Sequence, residues 1–198
     1  NNNSSKKLMN ILLATKNINK YKEISNIFKD TGNFHQTVYK KDLIDVKEDK
    51  DTILENAKKK AHEIYDYYQV PVVSDDSGLF VNVLNGMPGI RSKRYSGENA
   101  TDQENIEKLL NNLSQKQDRS AYFKTVLYFY DGKNEITTEG ILEGFITKDP
   151  RGVNGFGYDS IFEYESKTLA ELTSEEKNRI SHRKIAANKM IGILNEKI

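Results

Sequence analysis

Apolar positions along the chain alternate between short continuous runs and helical spacing. Leu8 to Ala14 is a short apolar run of the kind a buried strand needs. Tyr21, Ile24, Ile27 and Phe28 then recur at helical spacing, and Phe34 to Val38 reads as a further short strand. Thr52 to Tyr68 places Ile53, Leu54, Ala57, Ala61, Ile64, Tyr65 and Tyr68 on one face. It opens with Thr52 and Glu55, a capping box that satisfies the free amides of a helix start. Val70 to Val73 is a β-branched strand. Thr101 with Glu104 is a second capping box, ahead of Ile106, Leu109, Leu110 and Leu113. Tyr122 to Tyr130 is aromatic and β-branched, and Asp131-Gly132 turns the chain into Glu135 to Ile146. Ile161 to Tyr164 is another strand, and Ile185, Ala186, Ala187, Met190, Ile193 and Leu194 form a closing amphipathic helix. A βα-alternating first half followed by a long antiparallel hairpin predicts a mixed α/β fold.

Composition narrows the picture mainly by exclusion. Three widely spaced prolines, no linker and no repeat in 198 residues predict one compact unit over 8–198. Residues 1–7 read as a disordered polar tail, because they lack the apolar core of a secretory signal. No apolar run approaches the ~20 residues that span a bilayer, so no membrane association is expected. The chain has no cysteine, which excludes disulfides, a thiolate zinc site and a Cys nucleophile and fits a cytoplasmic protein. Its three histidines, His35, His62 and His182, are scattered. Thirty Lys and Arg against 29 Asp and Glu leave a formal charge of +1, so bulk electrostatics give no case for nucleic acid as a partner. Any anion must be held by local clusters.

Four segments could supply them. Ala14 to Lys20 joins the first strand to the first helix, where free amides and the dipole favour an anion; Thr15, Asn17, Lys16 and Lys20 add donors and charge. The plain alternative is a capped helix with solvated lysines. Ser74-Asp75-Asp76-Ser77-Gly78 follows the Val70–Val73 strand, and its carboxylates suit a hard cation such as Mg²⁺ or a base toward water; an Asx-type turn is the alternative. Gly152 to Asp159 surrounds Phe156 and Tyr158 with glycines, a platform for a planar base or else a turn whose aromatics cap the core. Lys177 to Lys184 is the densest cationic cluster. With Ser181 as an N-cap, His182 and Arg183 fall in a first helical turn, against the dipole; this local conflict points to a bound anion or to a merely soluble surface. Two of Lys58, Lys59 and Lys60 are expected to be solvated, and the loop from Met87 to Tyr95 to reach over a site. A phosphate cradle, a carboxylate pair, an aromatic platform and a cationic clamp are together the parts of a nucleoside triphosphate site, without a Walker A or GxGxxG motif.

These segments carry a resemblance. Ala14 to Lys20, Glu55-Asn56-Ala57, Ser74 to Leu79, Pro88 to Gly97, Gly155 to Asp159 and Ala170 to Arg183 stand in the order of the blocks of the inosine triphosphate pyrophosphatase (Ham1-like) family. The chain resembles that family over residues ~8–194. The resemblance implies an α/β fold with a long curved mixed sheet flanked by helices, and two lobes with the active-site cleft between them. It implies hydrolysis of ITP, dITP and XTP to the monophosphate and pyrophosphate, with Mg²⁺ as cofactor and a homodimer as the assembly.

By the same resemblance, Thr15, Asn17, Lys20 and Lys60 hold phosphate and Ser77 contacts substrate. Asp76 is the catalytic carboxylate and a metal ligand beside Glu48. Phe156 stacks on the purine with Gly157, Tyr158 and Asp159 completing its loop, and Lys177, His182 and Arg183 read the base. Donors aimed at a C6 oxygen would be left unpaired by an amino group there, a physical basis for rejecting adenine. Lys16 stands where the family usually has glycine, adding charge for phosphate; Lys47 stands where many members are acidic, and Lys93 where they have a small residue. Two other readings are a Maf-type pyrophosphatase, which lacks the Gly155–Asp159 and Ser181–Arg183 blocks, and a binding module that has lost catalysis, against which Asp75-Asp76 speaks.

Overall fold

A computed structural model describes residues 8–30 and 35–197. The tail expected over 1–7, and Phe34, lie outside the described residues. Eight strands form one mixed sheet. They are β1 (Asn10–Leu13), β2 (Gln36–Val38), β3 (Val72–Val81), β4 (Pro88–Gly89), β5 (Ser120–Tyr130), β6 (Glu135–Ile146), β7 (Phe162–Tyr164) and β8 (Lys167–Thr168), ordered β2-β1-β3-β5-β6-β7-β8 with β4 on β3. β1 pairs in parallel with β2 and β3, whereas β4 on β3, β7 on β6 and β8 on β7 are antiparallel. The helices are α1 (Ile18–Asp30), α2 (Ile53–Tyr68), α3 (Asp102–Asn112), α4 (Ser174–Ile180) and α5 (His182–Lys197). This is the mixed α/β sheet flanked by helices that the sequence predicts.

The helix starts follow the capping chemistry. Thr52 Oγ1 accepts the Glu55 amide at 3.1 Å. At Thr101, Thr168 and Thr173 both halves of the box form, with Glu104, Glu171 and Glu176. Each such cap is worth about 1 kcal/mol. The apolar stripe of α2 is narrower than its sequence suggests, because Leu54 is exposed.

The largest departure is β3. The strand expected to end at Val73 runs on through Ser74-Asp75-Asp76-Ser77-Gly78 to Val81. Turn-forming residues usually stop a strand, but here their side chains find partners. Ser74 Oγ donates to the Ala57 carbonyl at 2.6 Å, Asp75 Oδ1 meets Lys20 Nζ at 2.9 Å, and Ser77 Oγ lies 2.8 Å from Thr125 Oγ1. Gly78 lets β4 approach: a Cβ there would lie 2.6 Å from the Gly89 carbonyl oxygen.

The chain divides into two compact units, residues 1–76, 126–139 and 184–198 in the first and 77–125 and 140–183 in the second. The first has a core of Ile11, Leu13, Ile24, Ile27 and Phe28 with Val73, Leu127 and Phe129, completed by Ala186, Ala187, Met190, Ile191 and Leu194 from α5. The second has its own core, in which Leu79, Val81, Leu109, Leu113, Phe123, Leu142, Ile161, Phe162 and Leu169 are the main members.

Candidate active site

In the first unit the segment after β1 folds back on itself. Thr15 Oγ1 accepts the Asn17 amide at 3.0 Å, and Asn17 Oδ1 accepts the amides of Asn19 at 2.9 Å and Lys20 at 3.3 Å. Asn17 therefore caps α1 with its oxygen, which leaves its side-chain NH₂ as the donor toward an anion. Lys16, the cation standing in place of glycine, pairs with Asp45. Both side chains of that pair are solvent-exposed.

Lys60 is the hub of this unit. Its largely buried ammonium donates to Glu48 Oε1 at 2.8 Å and to the Asp75 carbonyl oxygen at 2.8 Å. Burial works to lower its pKa, but Glu48, Asp76 and Asp75 outweigh burial and hold it above the ordinary lysine value. The neighbouring Lys59 donates to the Lys47 carbonyl at 2.7 Å and to Asp49 at 2.8 Å, and Asn56 Oδ1 accepts the Lys50 amide at 2.8 Å. The charged stretch Lys47–Lys50 is thus strapped to α2, which fixes Glu48. Only Lys58 of the three consecutive lysines is exposed, where two were expected to be.

The two aspartates do not act as a chelating pair. Successive side chains of a strand point to opposite faces. Ser74 reaches α2, so Asp76, two residues on, shares the face of α2 with Lys60 and Glu48; Asp75 takes the other face and meets Lys20 of α1. Burial pushes the Asp76 carboxyl up to about 7, with Lys60 pulling down and Glu48 pushing up. Among the described residues no three His, Asp or Glu converge as a metal cage. Two carboxylates on one face are a hard oxygen donor set, which fits Mg²⁺ holding its remaining waters and does not fit zinc.

In the second unit the loop 152–158 is organised by Asp159. Asp159 Oδ2 accepts the Phe156 amide at 3.0 Å and the Lys177 ammonium at 2.6 Å, and both side chains of that ion pair are buried. Gly155 has φ of 74°, and a Cβ there would lie 2.2 Å from Asp159 Oδ2, so the turn admits glycine only. The Gly157 amide donates to Asp102 Oδ2 at 2.9 Å, and the Tyr158 hydroxyl donates to the Ser92 carbonyl at 2.5 Å inside the core. Tyr158 and Asp159 therefore shape the loop, while Phe156 is half-buried with Lys177 Nζ 4.6 Å and Arg183 Cζ 5.4 Å from its ring centroid.

Arg183 is held from two sides. Its Nη2 donates to Ser77 Oγ at 3.3 Å, and its Nη1 lies 3.4 Å from His182 Nε2. A guanidinium only donates, so in that contact His182 Nε2 is the acceptor. The His182 ring stacks on Phe123 at 4.7 Å and 15°. α5 does begin at His182, so the conflict between cationic residues and a helix start is present as read from the sequence. The 88–95 segment is no loose loop: β4 pairs with β3, and Ser92 Oγ donates to the Gly89 carbonyl at 2.6 Å.

Sequence reading missed Asp102, Lys59 and Thr125. The capping box at Thr101 located the start of α3 but not the carboxylate's reach to Gly157, and Thr125 sits unmarked in an apolar strand. Every residue singled out for phosphate or metal falls in the first unit, and every residue singled out for the base, with Ser77, falls in the second.

A mixed-sheet α/β protein with a lysine-bridged acidic cluster and a donor-rich aromatic loop is the class that these features define. The chain matches the Ham1 family model over residues 11–193, and it belongs to that family. A protein named dITP/XTP pyrophosphatase from Thermoanaerobacter sp. (strain X514) is 46% identical over 190 residues, covering 92% of this chain and 94% of its own. One of the same name from Escherichia coli (strain K12) is 41% identical over 196 residues, covering 94% and 98%. The solved structure of a HAM1 protein from Coxiella burnetii superposes with a TM-score of 0.86 at 37% identity, covering 96% of this chain and 100% of that one.

Proposed function

We propose that this protein hydrolyses non-standard purine nucleoside triphosphates, ITP, dITP and XTP, to the monophosphate and pyrophosphate. The observation that carries this reading is Lys60, buried and bridging Glu48 to the backbone of the Asp75–Asp76 strand. A buried ammonium between acidic groups neutralises phosphate charge without leaving the acids free to repel it. Lys20 and the Asn17 amide would add donors on the phosphates. In the reaction, water oxygen bonds to the α-phosphorus, the bridging P–O bond to the β-phosphate breaks, and pyrophosphate leaves. Asp76 would take the proton from that water.

Mg²⁺ would be held by Glu48 and Asp76. When bound there it would neutralise phosphate oxygens and acidify a water. The base would stack on Phe156 and present its 6-oxo group to donors of Lys177 and Arg183, which a 6-amino group cannot satisfy. The names of the relatives support the substrate class, and the family resemblance supports a homodimer, for which a monomer mass by light scattering would be the contrary result.

The test is pyrophosphate release from ITP, XTP, dITP, GTP and ATP, with Mg²⁺ and with chelator. ITP, XTP and dITP are cleaved first, and only with Mg²⁺. ATP and GTP turning over as fast as ITP would end the specificity claim.

A further inference from the structure

Arg183 reads the base in the function proposed above, and a guanidinium on a long side chain reads only if something holds it. The holding group on the strand side is Ser77 Oγ, at 3.3 Å from Nη2. A serine hydroxyl rotates freely unless its own position is fixed. Ser77 is fixed by Thr125: the two hydroxyl oxygens lie 2.8 Å apart, and Thr125 is completely buried in β5.

We propose that Thr125 is a positioning residue for substrate selection, locking the Ser77 hydroxyl so that it accepts the Arg183 guanidinium. The hydrogen bond between the two hydroxyls can run in either direction. In both, Ser77 Oγ keeps a lone pair for Arg183, because the guanidinium can only donate. Thr125 itself is β-branched, with few allowed rotamers in a strand, so it is a stiff anchor for a mobile hydroxyl. Its burial keeps it away from any substrate, so its effect passes through Ser77 and Arg183. Nothing about core packing requires a hydroxyl here, since valine has the same shape. A buried hydroxyl costs stability unless it is hydrogen-bonded.

The inference rests on the base-reading role of Arg183, and the test separates the two. ITP hydrolysis by the parent protein tests the function; variants at position 125 test the relay. Thr125→Val keeps the shape and removes the hydroxyl, and should raise KM for ITP about three- to tenfold with kcat within about twofold, the scale of one lost net hydrogen bond. Thr125→Ser restores the hydroxyl and should return KM close to the parent value. In a Ser77→Ala background Thr125→Val should add nothing, because the relay is already cut. A second readout needs no substrate: the Arg183 guanidinium NMR signal, assigned by its loss in Arg183→Lys, should broaden or average in Thr125→Val. That signal serves even if the parent proves inactive on ITP. An unchanged KM and guanidinium signal in Thr125→Val would overturn the proposal. So would additive effects of Thr125→Val and Ser77→Ala, or an equal KM defect in Thr125→Val and Thr125→Ser. Should Thr125→Val fail to fold, Thr125→Cys carries the same comparison: its weak hydroxyl substitute predicts a KM between those of Ser and parent on one side and the Ser77→Ala single variant on the other. A KM equal to the parent's would count against the relay.

Discussion

Each unit buries a lysine against carboxylates, and the two pairs do different work. In the first unit Lys60 bridges Glu48 and the Asp75 carbonyl beside Asp76, while Lys20 meets Asp75. Acids exceed lysines within that group, and Asp76 sits near neutrality in its pKa. In the second unit Lys177 and Asp159 form a buried ion pair that also ties the Phe156 amide. The first arrangement gathers carboxylates around a buried ammonium and leaves one of them, Asp76, pushed up to about 7. The product of the second is a fixed backbone. Buried ion pairs thus do two kinds of work: one sets the proton affinity of a carboxyl, and the other braces a loop.

The largest effect should come from opening the first cluster. Asp76→Asn should slow pyrophosphate release about 10²–10⁴-fold, the scale of a lost general base, while nucleotide affinity measured by calorimetry stays near the parent value. Loss of affinity together with turnover would make Asp76 a binding group instead. Next comes the brace. Lys177→Met removes the ammonium from the buried Asp159 carboxylate, and should cost about 3–5 kcal/mol in urea unfolding. If Lys177→Met unfolds at the parent midpoint, the pair is not a brace. A smaller effect is expected from Asp102→Ala, which frees the Gly157 amide. It should raise KM for ITP a few-fold with kcat unchanged; a fall in kcat alone would place Asp102 elsewhere in the cycle.

The smallest lies in the first unit, away from the acidic cluster. The Tyr128 hydroxyl donates to Glu135 at 2.6 Å, and His62 meets the same oxygen at 2.5 Å. The Tyr128 bond first, then the His62 bond, holds the Glu135 carboxyl below its ordinary 4.5. A carboxylate with a depressed folded pKa stabilises the fold above its unfolded pKa, and that stability fades as pH falls through the folded value. Tyr128→Phe should therefore lower the melting temperature slightly at pH 7, with the gap from the parent closing below 4.5. A gap that persists in acid would assign the effect to packing.

Much of this was legible in the residues. N-cap threonines fixed helix starts at Thr52 and Thr101, the full box forming only at Thr101 of the two, and periodicity found α1, α2, α3 and α5. The length of β3 is hidden in the sequence because Ser, Asp and Gly are turn formers in isolation; Lys20, the Ala57 carbonyl and Thr125 supply partners along the continuous strand, and none of them is near in sequence. The site was legible as types of residue and not as an arrangement. Nothing in Asp75-Asp76 says that the two carboxylates face apart until the stretch is known to be strand. Lys16 illustrates the same point, since its exposed pairing with Asp45, 29 residues away, is an arrangement that no spacing rule carries.

The order in which the segments are made has a further consequence. The first unit takes its pieces from residues 1–76, 126–139 and 184–198, and α5 supplies Ala186, Ala187, Met190, Ile191 and Leu194 to its core. During synthesis the earliest residues must therefore wait for the last helix to leave the ribosome before that core can close. The second unit is complete once Arg183 has emerged. A chain stopped just after Arg183 should carry a folded second unit and a first unit still exposing Phe28 and Leu13, a state that chaperones and proteases recognise.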